Sequence, residues 1–316
     1  MKYAVIDIGS NTMRTVIYEV INDDFEIVIS EKEFAELISY IEDNLLTEAG
    51  ISRLVRIMKK MRVLCEETHT EDILCFATAS LRYIDNQKEV LERVQKEAGI
   101  RIQLLDGCDE SYYDFIGLRS AIGESEAVGF DLGGGSAQLF YYKDNRLTKS
   151  MSEPIGTLAM YNRYVKGLFP NSKERNKISR RVNKSLKEAG DFKQFKQDTL
   201  YGMGGTARAL AKVHRHLVGN DRAVDYRLTL ADVLEVDRTL SDLGLSGIKI
   251  LNRILPERLV TVLPGILIIE ELMRHVGAEN LVIIGYGVRE GYLIENAINK
   301  GRGINEFRDS DIVICK

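Results

Sequence analysis

The first apolar run, residues 3–8, is almost unbroken, as in a strand buried on both faces. Two more strand-length runs follow at residues 15–20 and 25–30, with Asn22-Asp23-Asp24 as the turn between them. The period then changes. Residues 31–44 and 52–67 predict two helices, 72–76 a buried strand, and 86–97 a polar helix stopped at Gly99. Residues 100–105 predict a further strand and 109–121 a helix. Strands are then expected at 127–132, 137–142 and 146–153, and helices at 157–165 and 172–189. A strand at 199–201, a helix at 206–217, a largely helical stretch at 229–276, a strand at 281–284 and a helix at 289–299 complete the pattern.

The repeat carries more than any one element. Each half opens with three strands and then alternates helices with strands. At equivalent places each half has an aspartate followed by glycine: Asp7-Ile8-Gly9-Ser10-Asn11 and Asp131-Leu132-Gly133-Gly134-Gly135-Ser136. A duplicated α/β unit predicts two similar domains facing across a cleft. The boundary is expected near residues 124–127, giving domains 1–125 and 126–316, with the last helix free to pack back on the first domain.

Composition narrows the function. A chain of 316 residues with 45% hydrophobic residues can bury two cores. Its net charge of -4 disfavours a nucleic-acid binder and means that any phosphate site must rely on local dipoles and a metal. The four cysteines form no Cys-x-x-Cys pair, and His214 and His216 have no zinc-spaced companions. The longest apolar run, 259–269, is broken by Pro264 and Gly265 and is too short to span a bilayer. The start runs directly into a strand, so the expectation is a cytoplasmic protein with no membrane partner.

The loops supply candidate chemistry. A glycine after a strand-ending aspartate lets backbone N–H groups approach an anion. In the first loop Asp7 would face a metal ion through water, while Gly9, Ser10, Asn11 and Thr12 offer donors. A plain hairpin turn explains that loop equally well. The second is more telling, because three consecutive glycines cost conformational entropy unless something comes close. Asp131 would face the metal there, and Gly133, Gly134, Gly135 and Ser136 would cradle phosphate.

These segments resemble the exopolyphosphatase and guanosine pentaphosphate phosphohydrolase family. The two loops look like its phosphate loops, and Phe76-Ala77-Thr78-Ala79-Ser80-Leu81-Arg82 looks like its Ala-Thr-(Ser/Ala)-Ala-x-Arg segment. Gly107-Cys108-Asp109-Glu110-Ser111 sits where that family has Gly-x-x-Glu-Ala. Gly202-Met203-Gly204-Gly205-Thr206-Ala207 resembles its third glycine loop, and residues 285–292, with Arg289-Glu290-Gly291, its last motif. The matches run in order from residue 3 to residue 292.

The resemblance implies two ribonuclease-H-like domains of the actin-like ATPase superfold, in the short two-domain form. It also implies Mg²⁺-assisted displacement by water of the terminal phosphate of inorganic polyphosphate or of pppGpp. Glu110 then matches the catalytic glutamate, with Asp109 as second choice, although a favourable first-turn charge is the plainer reading of that glutamate. Arg82, and less strongly Arg14, would meet charge on the phosphoryl oxygens; a surface ion pair is the plainer reading of Arg82. Gly204, Gly205 and Thr206 open a helix that could take an anion or simply be capped there.

Two departures stand out. Where the family has Ser-Thr-Glu, this chain has Ser136-Ala137-Gln138, so the metal-side residue Gln138 is neutral. Residues 31–37 are acidic where the family tends to be basic, which would weaken binding of long polyphosphate. A catalytically weak nucleotide or alarmone sensor is the alternative function, and a kinase or ATPase of the same superfold the third. Polyphosphate or guanosine penta- and tetraphosphate are the expected partners, and a homodimer is compatible with the sequence. Residues 172–196 are rich in lysine and arginine and could guide a polyanion, though a solvated helix face accounts for them as well.

Overall fold

The computed structural model describes residues 1–9, 11–190, 192–219 and 226–300. The chain divides into two compact units: Met1–Tyr113 together with the last described helical segment from Arg289, and Asp114–Val288.

The first unit is built on a five-stranded sheet. Strands β1 (Lys2–Ile8), β2 (Thr12–Ile21) and β3 (Asp24–Phe34) are antiparallel neighbours. A two-stranded ribbon, β4 (Ile41–Glu42) with β5 (Leu45–Leu46), leads into helix α1 (Glu48–Glu67). Strand β6 (Asp72–Ala77) lies parallel to β1, and after the short α2 (Ala79–Arg82) and α3 (Gln87–Ala98), β7 (Gln103–Leu104) joins β6. The order β3-β2-β1-β6-β7 places β1 at the centre. Accordingly Ala4, Val5, Ile6 and Ile8 are all fully buried, as the unbroken apolar run requires. Leu54, Met58 and Met61 of α1 and Val90 and Val94 of α3 cover one face of the sheet.

The helix expected over residues 31–44 does not form. Strand β3 continues to Phe34 because β2 extends to Thr12 and supplies partners to the end, with Thr12 opposite Phe34. The chain then turns through left-handed Glu36, and Arg53 of α1 donates to the carbonyls of Phe34 and Ala35 at 2.7 Å each. The strand expected at 100–105 shortens to Gln103–Leu104.

Helix α4 (Gly107–Ile122) leads into the second unit. Strands β8 (Ala127–Leu132), β9 (Ala137–Lys143) and β10 (Arg146–Glu153) repeat the antiparallel opening, followed by α5 (Thr157–Tyr164) and α6 (Ser172–Glu188). Strand β11 (Thr199–Met203) lies parallel to β8 and precedes α7 (Gly204–Val218). An edge strand that the sequence reading missed, β12 (Tyr226–Thr229), comes next; its Thr229 caps α8 (Leu230–Leu243), which opens the largely helical stretch expected over 229–276. Helices α9 (Leu245–Ile254) and α10 (Val262–Val276) follow, then β13 (Asn280–Ile283), parallel to β11, and α11 (Val288–Leu293). The sheet order β10-β9-β8-β11-β13-β12 is that of the first unit with one antiparallel strand added.

Helix α10 is buried along nearly its whole length and packs on α6 and α8. The buried acids on these helices include Asp237 and Glu270. Asp237 is paired with Arg175, and Glu270 lies 3.6 Å from Arg274. Burial, then the charge of Asp237, pushes the Glu270 carboxyl from 4.5 up to about 7. Folding therefore retains a proton that the unfolded chain releases above pH 4.5, so stability falls as pH rises from 4.5 to about 7 and levels off beyond. Glu270→Gln is expected to remove that fall and to stabilise the protein at pH 8 by about 2–3 kcal/mol. Urea denaturation of both forms at pH 5 and pH 8 measures it; an unchanged difference between the two pH values would contradict it.

Candidate active site

In the first unit, Asp7 stands near the end of β1, directly opposite Arg14 on β2. The turn between them closes with Gly9 N–H donating to Thr12 carbonyl at 3.0 Å; Asn11 is exposed at its tip, and Ser10 lies outside the described residues. Arg14 is partly buried and donates to Ser30 Oγ at 2.9 Å. Burial lowers its pKa, Arg289 lowers it further, and Asp7 works in the opposite direction, so two guanidinium groups and a carboxylate share this corner. Beside it Tyr18 donates to the buried Glu290 at 2.5 Å.

The short helix α2 is tied to the end of β1: Thr78 N–H and Ser80 Oγ both donate to Ile8 carbonyl, at 3.3 and 3.2 Å. That anchoring sets Arg82 next to Glu110, and the two form an ion pair with side chains only 15% and 10% exposed. Burial works to lower the Arg82 pKa, but the charge and hydrogen bond of Glu110 outweigh it and the guanidinium is shifted upward. The N-terminus of α4 is fixed by Asp106, whose Oδ1 accepts from Cys108 and Asp109 N–H at 2.8 Å each. Asp109 Oδ2 in turn accepts from Asp106 N–H at 3.1 Å, closing a reciprocal cap. Asp109 thus holds the helix start, while Glu110, one residue on, meets Arg82.

In the second unit the geometry recurs. Asp131 on β8 stands opposite Gln138 on β9, and Gly133 N–H donates to Ser136 carbonyl at 3.0 Å, the counterpart of Gly9 and Thr12. The carbonyls of Gly133, Gly134 and Gly135 accept from the N–H groups of residues 156–159, which seats the loop on the start of α5. Gln138 is buried, and its amide donates to Ser136 and Ser152 Oγ at 3.0 Å each.

The glycines separate into kinds. A Cβ at Gly135 would meet nothing within 4 Å, one at Gly134 only Leu158 at 3.7 Å, and neither has a left-handed backbone. Nothing among the described residues requires glycine there. At Gly204 the opposite holds: φ is 76°, and a Cβ would fall 1.8 Å from Asp131 Oδ1. Asp131 therefore rests against the first residue of α7. No side chain caps that helix, and Thr206 Oγ1 donates instead to Leu132 carbonyl at 2.7 Å, binding α7 to β8.

Comparison with known proteins accounts for this arrangement. Residues 16–300 match the model of the Ppx/GppA phosphatase family. The chain belongs to that family. A bifunctional 3-dehydroquinate synthase/phosphatase from Fusobacterium nucleatum is 27% identical over 315 residues, covering 94% of this chain and 47% of that protein, so the chain spans about half of that relative's length. Exopolyphosphatase 1 of Mycobacterium leprae is 24% identical, covering 96% of this chain and 91% of that one. Among solved structures, the Aquifex aeolicus Ppx/GppA family member has a TM-score of 0.81 at 23% identity, covering 95% of this chain and 99% of that one. An exopolyphosphatase from Cytophaga hutchinsonii has a TM-score of 0.81 at 22% identity, covering 95% and 98%. These likenesses give the fold: ribonuclease-H-like units of the actin-like ATPase class.

Several residues that shape these loops of the Ppx/GppA chain escaped the sequence reading. Gly156 is required because a Cβ there would lie 2.4 Å from Gly134 carbonyl oxygen. Arg258 reaches over Gly205, where a Cβ would be 2.0 Å from its Nη2. Gly265 of α10 lets Thr206 and Thr157 approach, a Cβ there meeting them at 2.5 and 3.2 Å. Gly156 left a trace in the sequence as a glycine just before a helix start, and Gly265 as a break in the apolar run 259–269.

Among the described residues no group of three His, Cys, Asp or Glu side chains could hold a metal, and each loop offers one acid. Among the same residues no helix is long and apolar enough to cross a membrane.

Proposed function

We propose that the chain releases terminal orthophosphate from inorganic polyphosphate or pppGpp, by in-line attack of water. Gly134 and Gly135 carry the reading: they lie open, with neither packing nor backbone conformation accounting for them, as glycines do where a ligand approaches the main chain. Family membership over residues 16–300 supports the same chemistry.

In this mechanism the loop residues Gly9, Ser10, Asn11, Thr12, Gly133, Gly134, Gly135 and Ser136 bind phosphate oxygens, with Arg14 adding charge. Gly204, Gly205 and Thr206 present the start of α7 to an anionic group. Asp7, Asp131 and the amide oxygen of Gln138 would hold Mg²⁺, which when bound neutralises charge on the transferred phosphoryl group. Glu110 orients water and takes its proton, and Arg82 fixes the carboxylate and stabilises charge developing on the phosphoryl oxygens.

Phosphate release from polyphosphate, pppGpp and ATP, with and without Mg²⁺, tests the proposal. Mg²⁺-dependent release from either of the first two is the expected result. Failure with both, or ATP consumption that depends on a small acceptor, would overturn it.

A further inference from the structure

Helix α6 carries Lys173, Lys177, Arg180, Lys184 and Lys187. Their spacing of four, three, four and three residues places all five on one stripe. Glu174 of the same helix lies off that stripe, buried and closing a capping box with Asn171.

The stripe borders a cavity of about 890 Å³ between α6 and α10. Arg180, Lys184 and Lys187 line it from α6, and Arg274 lines it from α10. Its two carboxylates are already engaged. Glu188 lies 3.7 Å from Lys184, and Glu271 accepts from Asn183 at 2.8 Å and lies 3.6 Å from Arg274. Arg180 and Lys187 make no ion pair among the described residues, although both face the cavity.

Helix dipoles explain only part of this. Lys187 and Arg274 stand in the last turns of α6 and α10, where cations are favoured. Arg180 lies two turns from the end of α6, beyond that influence. A chain of net charge -4 has concentrated cations around one open cavity of ligand size. Arginine supplies a fork for phosphate oxygens and lysine a point charge. The groove is also separate from the phosphate loops. Along α10, Arg274 is nine residues beyond Gly265, which touches Thr206 and Thr157, a helical rise of about 14 Å.

We propose that the groove between α6 and α10 is a second anion site, which binds a short chain of phosphates: inorganic polyphosphate or the tail of a nucleoside triphosphate. The site is independent of catalysis, so its test reads binding and not turnover. The full chain and its Arg180→Ala/Lys187→Ala variant are titrated calorimetrically with tripolyphosphate and with GTP, in chelator so that no Mg²⁺ is present. Acetylation of Lys184 and Lys187 is followed by mass spectrometry in parallel.

Binding to this class of site is expected to weaken about tenfold in the variant. Bound ligand should shield both lysines of the unsubstituted chain from acetylation. Shielding by tripolyphosphate alone identifies an inorganic chain, and shielding by GTP alone a nucleotide; either supports the site. Identical titrations of the two forms, unshielded lysines, or capture of a short RNA where neither phosphate compound binds, would overturn it.

Discussion

Phosphate release by Glu110→Gln is expected to fall about 10²- to 10⁴-fold, with KM for polyphosphate nearly unchanged. Glutamine keeps an oxygen to accept from Arg82 but cannot take a proton from water. The substitution therefore separates the chemistry of Glu110 from its part in holding the guanidinium. If Glu110 served only the ion pair, the variant would lose stability and keep its kcat. Adding Arg82→Gln sharpens the result: two groups acting as one unit give a double variant little slower than Glu110→Gln alone. Rates that multiply would mean the two act separately. Single-turnover phosphate release and thermal melts of the three variants together decide it.

The second large effect is expected at Gly204. Alanine there meets a left-handed backbone, costing about 1–2 kcal/mol, and its methyl group would occupy the position of the Asp131 carboxylate. The carboxylate must move, so activity is expected to drop about 100-fold or more, and the Mg²⁺ concentration needed for half-activity to rise. Gly135→Ala is the informative contrast, because its methyl group meets nothing within 4 Å. It should melt like the unsubstituted protein and yet bind polyphosphate more weakly. A Gly135→Ala chain with unaltered KM would remove the main support for the phosphate cradle.

Much of the fold was legible because the duplication was legible. Asp7 and Asp131 each end an apolar strand, and in both halves the turn closes through glycine three residues before its acceptor, Thr12 or Ser136. Seven residues beyond each aspartate the halves differ, with Arg14 in one and Gln138 in the other, and both face their aspartate across the ladder. Sequence reading failed where a partner decided the local structure. Residues 31–33 have charged, helix-compatible side chains, yet β2 was long enough to hold them extended. Strand β12 is four residues long and exists because β13 offers it an edge.

The same holds at the site. Arg82 and Glu110 carry motif identities, but their pairing follows from the anchoring of α2 to Ile8 and the capping of α4 by Asp106, neither of which is spelled locally. Gly156, Arg258 and Gly265 act through residues far away in the chain, so single-position chemistry did not single them out.

Strand β3 forms the outer edge of its sheet over eleven residues, and Ile27, Val28 and Phe34 on it are exposed. Such an edge invites pairing with another unpaired strand. Glu26, Glu31, Lys32 and Glu33 on the same strand keep it guarded by charge. Three of those four guards are carboxylates, so replacing Glu26, Glu31 and Glu33 by glutamine would strip the edge of most of its charge without altering the buried core. Clouding of such a variant would therefore begin as strand-to-strand stacking of intact molecules, ahead of unfolding.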